Sequence, residues 1–207
     1  MLYPMETEIK LSPVGAATAS QVFGDELLAP CLGEARRFDM ESVYYHDEGG
    51  LLEQLRATLR LRTENGDGVC CLKITSGHAG AAAVREEYEV PAETIEDGAA
   101  VLSENPELSD ELRAALGGPF APVCACSFTR TEADYTSDTL SFVLSYDVGE
   151  YRKGELTAPL GEMELELRDG DVDALNALAD AIVKKYGLTV STRGKYRTAM
   201  ALGEETC

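Results

Sequence analysis

Two short segments at opposite ends of the chain carry acidic residues at every second position. They are Met5-Glu6-Thr7-Glu8-Ile9-Lys10-Leu11 and Gly161-Glu162-Met163-Glu164-Leu165-Glu166-Leu167. In an extended chain alternate side chains point to the same side. Glu6, Glu8 and Lys10 therefore share one face, and Glu162, Glu164 and Glu166 another, each backed by apolar residues. A fold that makes these strands neighbours brings several carboxylates together, and they repel unless a cation holds them. Hard divalent ions such as Mg²⁺ or Mn²⁺ prefer oxygen ligands. The pattern thus constrains fold and chemistry at once.

The 207 residues are expected to form a single domain over 1–207, and the 44% hydrophobic content supplies a real core. Eighteen Lys and Arg against 37 Asp and Glu give a formal charge of −19. That balance argues against general nucleic-acid or anionic-membrane binding, which needs a basic surface. A local basic pocket for a small polyanion remains compatible with it. No early stretch combines a basic flank, an apolar run and a cleavage site, and the apolar runs are too short to span a bilayer. A cytoplasmic location is expected. Cys70-Cys71 and Cys124-Ala125-Cys126 have no zinc-motif spacing, and reduced cysteines packed in strands are predicted.

Strand signals dominate. Besides the two acidic segments they cover Glu34 to His46, Ala57 to Thr63, Val69 to Thr75, Ala83 to Val90, Pro122 to Thr131, Thr139 to Asp147 and Glu150 to Leu156. Asn65-Gly66-Asp67-Gly68 predicts a hairpin, and Gly77 to Gly80 a second turn. Helices are expected over Thr18 to Leu28, over Ala92 to Leu116 with a break at Pro106 and a cap at Ser109, and over Asp171 to Tyr186. Gly117-Gly118-Pro119 is the one plausible lobe boundary. Hairpin connections favour an antiparallel barrel or sandwich, in which first and last strands become neighbours.

Charge recurs at period two elsewhere: Arg60 with Arg62, and Arg85 with Glu87 and Glu89. Lys73, Arg130 and Asp147 each stand in a strand of apolar or small neighbours. Alternation alone reads these as the solvated exterior of a sandwich. Two features oppose that reading. The scarce cations gather on strands while surplus acid lies in helices and turns, and glutamate, a poor strand former, is concentrated in the end strands. A site explains both.

Glu6-Thr7-Glu8-Ile9-Lys10 resembles the ExExK signature of the CYTH superfamily, the triphosphate tunnel metalloenzymes. Further resemblances follow in that family's order. They are Val43-Tyr44-Tyr45-His46-Asp47 with Ala57 to Arg62, Cys71-Leu72-Lys73, Arg85 to Glu89, Ser145 to Gly149, Glu162 to Leu167 and Gly194-Lys195-Tyr196. The chain has Asp47-Glu48-Gly49-Gly50 where the family usually has Thr-Pro-Asp, and Gly194 where it has serine.

The resemblance implies an α+β, mainly β fold: a closed eight-stranded antiparallel barrel forming a tunnel, polar inside, with flanking helices. It implies metal-dependent hydrolysis of a triphosphate, inorganic triphosphate being favoured. Nucleoside or thiamine triphosphate hydrolysis, class IV-type adenylate cyclisation and a non-catalytic polyphosphate-binding module are the alternatives. Glu6, Glu8, Glu164 and Glu166 are the implied ligands of Mg²⁺ or Mn²⁺. Lys10, Arg60, Arg62, Lys73, Arg85, Arg130 and Lys195 are the implied grip on the triphosphate. Lys10, Glu87, Asp147 and Lys195 carry the implied catalytic roles, and Glu162 is placed nearer the tunnel edge. The absence of Trp tilts the reading toward inorganic triphosphate.

Overall fold

A computed structural model describes residues 5–204. In chain order the elements are β1 (Met5–Leu11), α1 (Ala16–Phe23), a short 3-10 turn (Ala29–Cys31), β2 (Arg36–Asp47) and α2 (Leu51–Gln54). Then come β3 (Ala57–Glu64), β4 (Asp67–Ala79), β5 (Ala82–Pro91), α3 (Ile95–Ser103) and α4 (Asp110–Ala115). The last are β6 (Phe120–Thr136), β7 (Leu140–Lys153), β8 (Leu156–Gly170), α5 (Val172–Tyr186) and α6 (Lys195–Met200).

The eight strands close into one antiparallel barrel in the order β1-β5-β4-β3-β2-β6-β7-β8. Closure removes the unpaired edges that an open sheet would expose. The expected meeting of first and last strands is realised directly, with Glu8 opposite Glu166 and Lys10 opposite Glu164. Asn65 and Gly66 both take positive φ and make the tight β3–β4 hairpin that their pairing predicts. Strands from both sides of Gly117-Gly118-Pro119 share the barrel, so that glycine pair is a connection within it.

One sequence expectation fails instructively. Thr139 to Asp147 and Glu150 to Leu156 are not two strands; β7 runs unbroken from Leu140 to Lys153. Gly149 sits mid-strand because a Cβ there would lie 2.0 Å from the Ser127 carbonyl oxygen on β6. Its role is close approach, not a turn. The first helix is also shorter than expected, stopping at Gly24, where Asp25 turns the chain by accepting a hydrogen bond from Leu27 N. The break at Pro106 and the Ser109 cap, which accepts from Leu112 N, are as expected.

Apolar side chains cover the outside of part of the barrel. Ile9, Leu11, Phe142, Leu144, Met163 and Leu165 pack against α1 and α5. Leu59, Cys70 and Leu72 pack against α2, α3 and α4. A third cluster joins Tyr44, Cys126, Phe128, Tyr151 and Leu160 to Ala199 of α6, which lies across one end. Cys31, Cys70, Cys71, Cys124 and Cys126 are all unpaired thiols. No helix among the described residues is long and apolar enough to cross a membrane.

Candidate active site

Strand register decides what faces inward. With outward apolar residues buried under helices, the alternate charged residues of β1, β3, β4, β5 and β8 point into the barrel. There they line a cavity of about 1140 Å³. Every residue expected at the site either lines this cavity or, in the case of Asp147, is bound to residues that do.

The cations and carboxylates satisfy one another. Lys73 Nζ lies 2.9 Å from Glu6 and 2.9 Å from Glu87. Arg85 makes a short contact with Glu8 and a longer one, 3.8 Å, with Glu6. Lys10 Nζ is 2.6 Å from Glu164. Arg130 grips Asp147 through two 2.7 Å hydrogen bonds and Glu164 through a third of 2.6 Å, a forked geometry that only arginine offers. Lys195 reaches in from α6 to Asp147, Glu162 and Glu164 at 2.7, 2.9 and 2.8 Å. Arg60 and Arg62 sit nearer the opposite end, paired with Glu87, Glu89 and Glu64.

Exposure identifies the open end. Side-chain exposure is 1% at Glu162 beneath α6 but 39% at Glu89 and 34% at Glu64. Glu162 is thus at the covered end and not at an open rim. Tyr151 donates a short hydrogen bond to it.

Local charge sets the protonation of the carboxylates. Burial alone would raise Glu164, but Lys10, Lys195 and Arg130 hold it well below the usual range. Burial likewise opposes the effect on Glu8, which Lys10, Arg85 and Lys73 bring down to about 2. Glu166 differs. Burial pushes it up to about 7, and Glu6 and Glu164 add to the effect while Arg168 opposes it. Glu6 is raised by burial, against Lys73, with Glu8 and Glu87 adding to the rise. On the β1–β8 seam Glu6 and Glu166 are thus the carboxylates without full cationic compensation, whereas Glu8 and Glu164 are held charged by their cations. Oxygen donors in that state suit a hard divalent cation.

Some participants escape the sequence reading. Glu89 shares the face of Arg85 and Glu87 and pairs with Arg62 at 3.0 Å. Cys71 donates to Glu87 Oε1 at 2.9 Å, and ligand atoms of Cys71, Glu87 and Glu89 lie within 4.8 Å of one another. Tyr151 was hidden by the false break in β7, since an unbroken strand puts residues 147, 149 and 151 on one face.

Solved structures with this architecture include a putative adenylyl cyclase from Hippeastrum, described as having a dominant triphosphatase activity. It is 20% identical with a TM-score of 0.63, the match covering 95% of this chain and 96% of that one. A putative adenylate cyclase from Bacillus halodurans is 16% identical with a TM-score of 0.58, covering 96% and 98%. A Pyrococcus horikoshii protein is 20% identical with a TM-score of 0.54, covering 93% and 97%. At these identities the likeness is one of fold. The CYTH domain model matches residues 4–195, from the edge of β1 to the lysine that enters the tunnel from α6. The chain belongs to the CYTH domain family.

Proposed function

We propose that the tunnel hydrolyses the terminal phosphoryl group of a triphosphate with the help of a divalent cation, inorganic triphosphate being the smallest species that fills the grip. The observation that carries this is the convergence of Lys10, Arg60, Arg62, Lys73, Arg85, Arg130 and Lys195 on one cavity beside the under-compensated carboxylates of β1 and β8.

In the structure each of these cations is held by a carboxylate. A triphosphate offers oxygens of the same geometry and greater charge density, so Lys73, Arg85, Arg60 and Arg130 exchange carboxylate for phosphate. That exchange releases Glu6 from Lys73, Glu8 from Arg85 and Glu164 from Arg130, while Glu164 keeps Lys10 and Lys195 and Glu166 keeps Arg168; these four carboxylates would hold Mg²⁺ or Mn²⁺. When bound, the cation would supply charge neutralisation at the phosphoryl oxygens and a lowered pKa for a bound water. Phosphoryl transfer depends on positioning and electrostatics more than on covalent steps. Asp147 fixes the Arg130 fork. Glu162 and Asp147 fix Lys195, whose ammonium would donate to the terminal phosphoryl group or the attacking water. Lys10 supplies a second point charge from β1, and Glu87 aligns Lys73 and Arg60.

Orthophosphate release from inorganic triphosphate, with and without Mg²⁺ or Mn²⁺, tests the proposal. Metal-dependent release with diphosphate as co-product is expected. Cyclic nucleotide from ATP without orthophosphate would select the cyclase alternative, and binding without turnover the polyphosphate-binding module.

A further inference from the structure

Among the cations of the proposed grip, Lys195 alone is not carried by a strand. Lys10, Arg60, Lys73, Arg85 and Arg130 stand in a closed barrel whose ladders fix their backbones on both sides. Lys195 opens α6, a helix of six residues. Isolated helices shorter than about 12–15 residues are marginal in water. Gly194 caps α6 without a side-chain hydrogen bond. The backbone under Lys195 therefore depends on tertiary contacts.

Those contacts are few. Tyr196, the residue after Lys195, lays its ring 5.5 Å from that of Tyr44. Its hydroxyl lies 2.5 Å from His46 Nε2 on β2. At the far end of the helix Ala199 is fully buried, and Lys153 donates to the carbonyl oxygens of Met200 and Leu202. Of these, only the Tyr196 contacts fall in the turn that carries Lys195, and of the two only the hydrogen bond is directional. His46 gives it a firm base. The neighbouring Asp47 accepts from Leu51 N at 2.8 Å and from Leu52 N at 2.9 Å, tying the end of β2 to α2.

The tip of Lys195 is held separately, by Asp147, Glu162 and Glu164. A lysine stem is flexible, and in the proposed reaction Glu164 turns to the metal and the ammonium to phosphate. The tip then loses part of its hold when its position matters most. Resting on the triphosphatase reading, we infer that the His46–Tyr196 hydrogen bond is a latch on the first turn of α6. His46 and Tyr196 are positioning residues that act through Lys195.

The test measures kcat and KM for inorganic triphosphate, with Mg²⁺ or Mn²⁺, in wild type, Tyr196→Phe, His46→Ala, His46→Gln and the Tyr196→Phe/His46→Ala double variant. Tyr196→Phe is repeated in a Lys195→Ala background. Tyr196→Phe keeps the ring beside Tyr44 and removes only the hydroxyl, which guards against misfolding. Tyr196→Phe and His46→Ala should each lower kcat about tenfold, with KM within about twofold of wild type. The double variant should be no worse than either single one. His46→Gln should recover most of the loss, since its amide replaces the ring nitrogen as a partner for the hydroxyl. Once Lys195 is gone, Tyr196→Phe should change nothing further. Near-wild-type kcat in Tyr196→Phe, multiplied losses in the double variant, no recovery with glutamine, or a loss that persists without Lys195 overturns the latch but spares the triphosphatase reading. A rise in KM at unchanged kcat makes Tyr196 a substrate contact and overturns the latch as well. No turnover by wild type overturns both readings together.

Discussion

The two arcs of the barrel wall obey the same alternation and point it in opposite directions. Along β1, β3, β4, β5 and β8 charged residues face inward and apolar ones outward, where helices cover them. Along β2 the order inverts: Phe38 and Met40 face inward, while Arg37, Asp39 and Glu41 are exposed outside. The difference follows from what covers the outer face. Where α1 and α5, or α2 to α4, supply an apolar cover, the strand's hydrophobic side turns out and frees the interior for charge. Where water is the cover, the strand turns its hydrophobic side in. The position of the helices therefore dictates which part of the tunnel can be a grip.

The sharpest way to break this comparison is to remove what the charged arc is proposed to serve. Chelation of divalent metal is expected to abolish orthophosphate release while leaving circular dichroism unchanged, because the tunnel's cations and carboxylates pair with one another. Substitutions within the charged arc come next. Glu8→Gln or Lys73→Ala should lower kcat/KM on the order of 10²-fold or more, with a cooperative melt retained. Near-wild-type turnover in either would remove that residue from the site.

The outer face of the same arc should behave oppositely. Leu165 is fully buried under the helical layer, and Leu165→Ala should cost about 2–5 kcal/mol of stability. Its folded fraction, measured by denaturant titration, should keep its specific activity. At the covered end, Tyr151→Phe removes the hydrogen bond to Glu162. A fall in kcat exceeding any rise in KM would place that bond in the support of Lys195.

The smallest expected effect lies in the outer layer. Asp25, held by Lys185, Tyr186 and Leu27 N, titrates at about 2, below the usual value near 3.9. A depressed carboxylate contributes stability that is present above the unfolded pKa and lost as pH falls through the folded one. Asp25→Asn should thus lower Tm slightly at pH 7, with the gap from wild type closing between about pH 4 and pH 2.

Much of the charged arc was legible in the sequence because its period-two pattern is local. Glu6, Glu8 and Lys10 share a face whatever the fold, and so do Glu162, Glu164 and Glu166. That these faces point inward was not legible from alternation, since periodicity separates two faces without saying which is covered. The ordered motifs of the family supplied the direction. Gly149 misled because a glycine needed for close approach looks, in one dimension, like a turn. The apolar arc was equally obscure, for Phe38 and Met40 face Phe128 only through the β2–β6 pairing, some 90 residues apart in sequence.

The central claim is that the cations of the charged arc change partners, from carboxylate to phosphate, as a metal takes the β1–β8 seam. A crystal structure of the Glu87→Gln protein, chosen to slow turnover, with Mn²⁺ and inorganic triphosphate tests this most directly. The expected result is anomalous density among Glu6, Glu8, Glu164 and Glu166, with phosphate oxygens on Lys73, Arg85 and Arg130. A tunnel still closed by its own ion pairs at saturating ligand, or Mn²⁺ bound away from these four carboxylates, would contradict it.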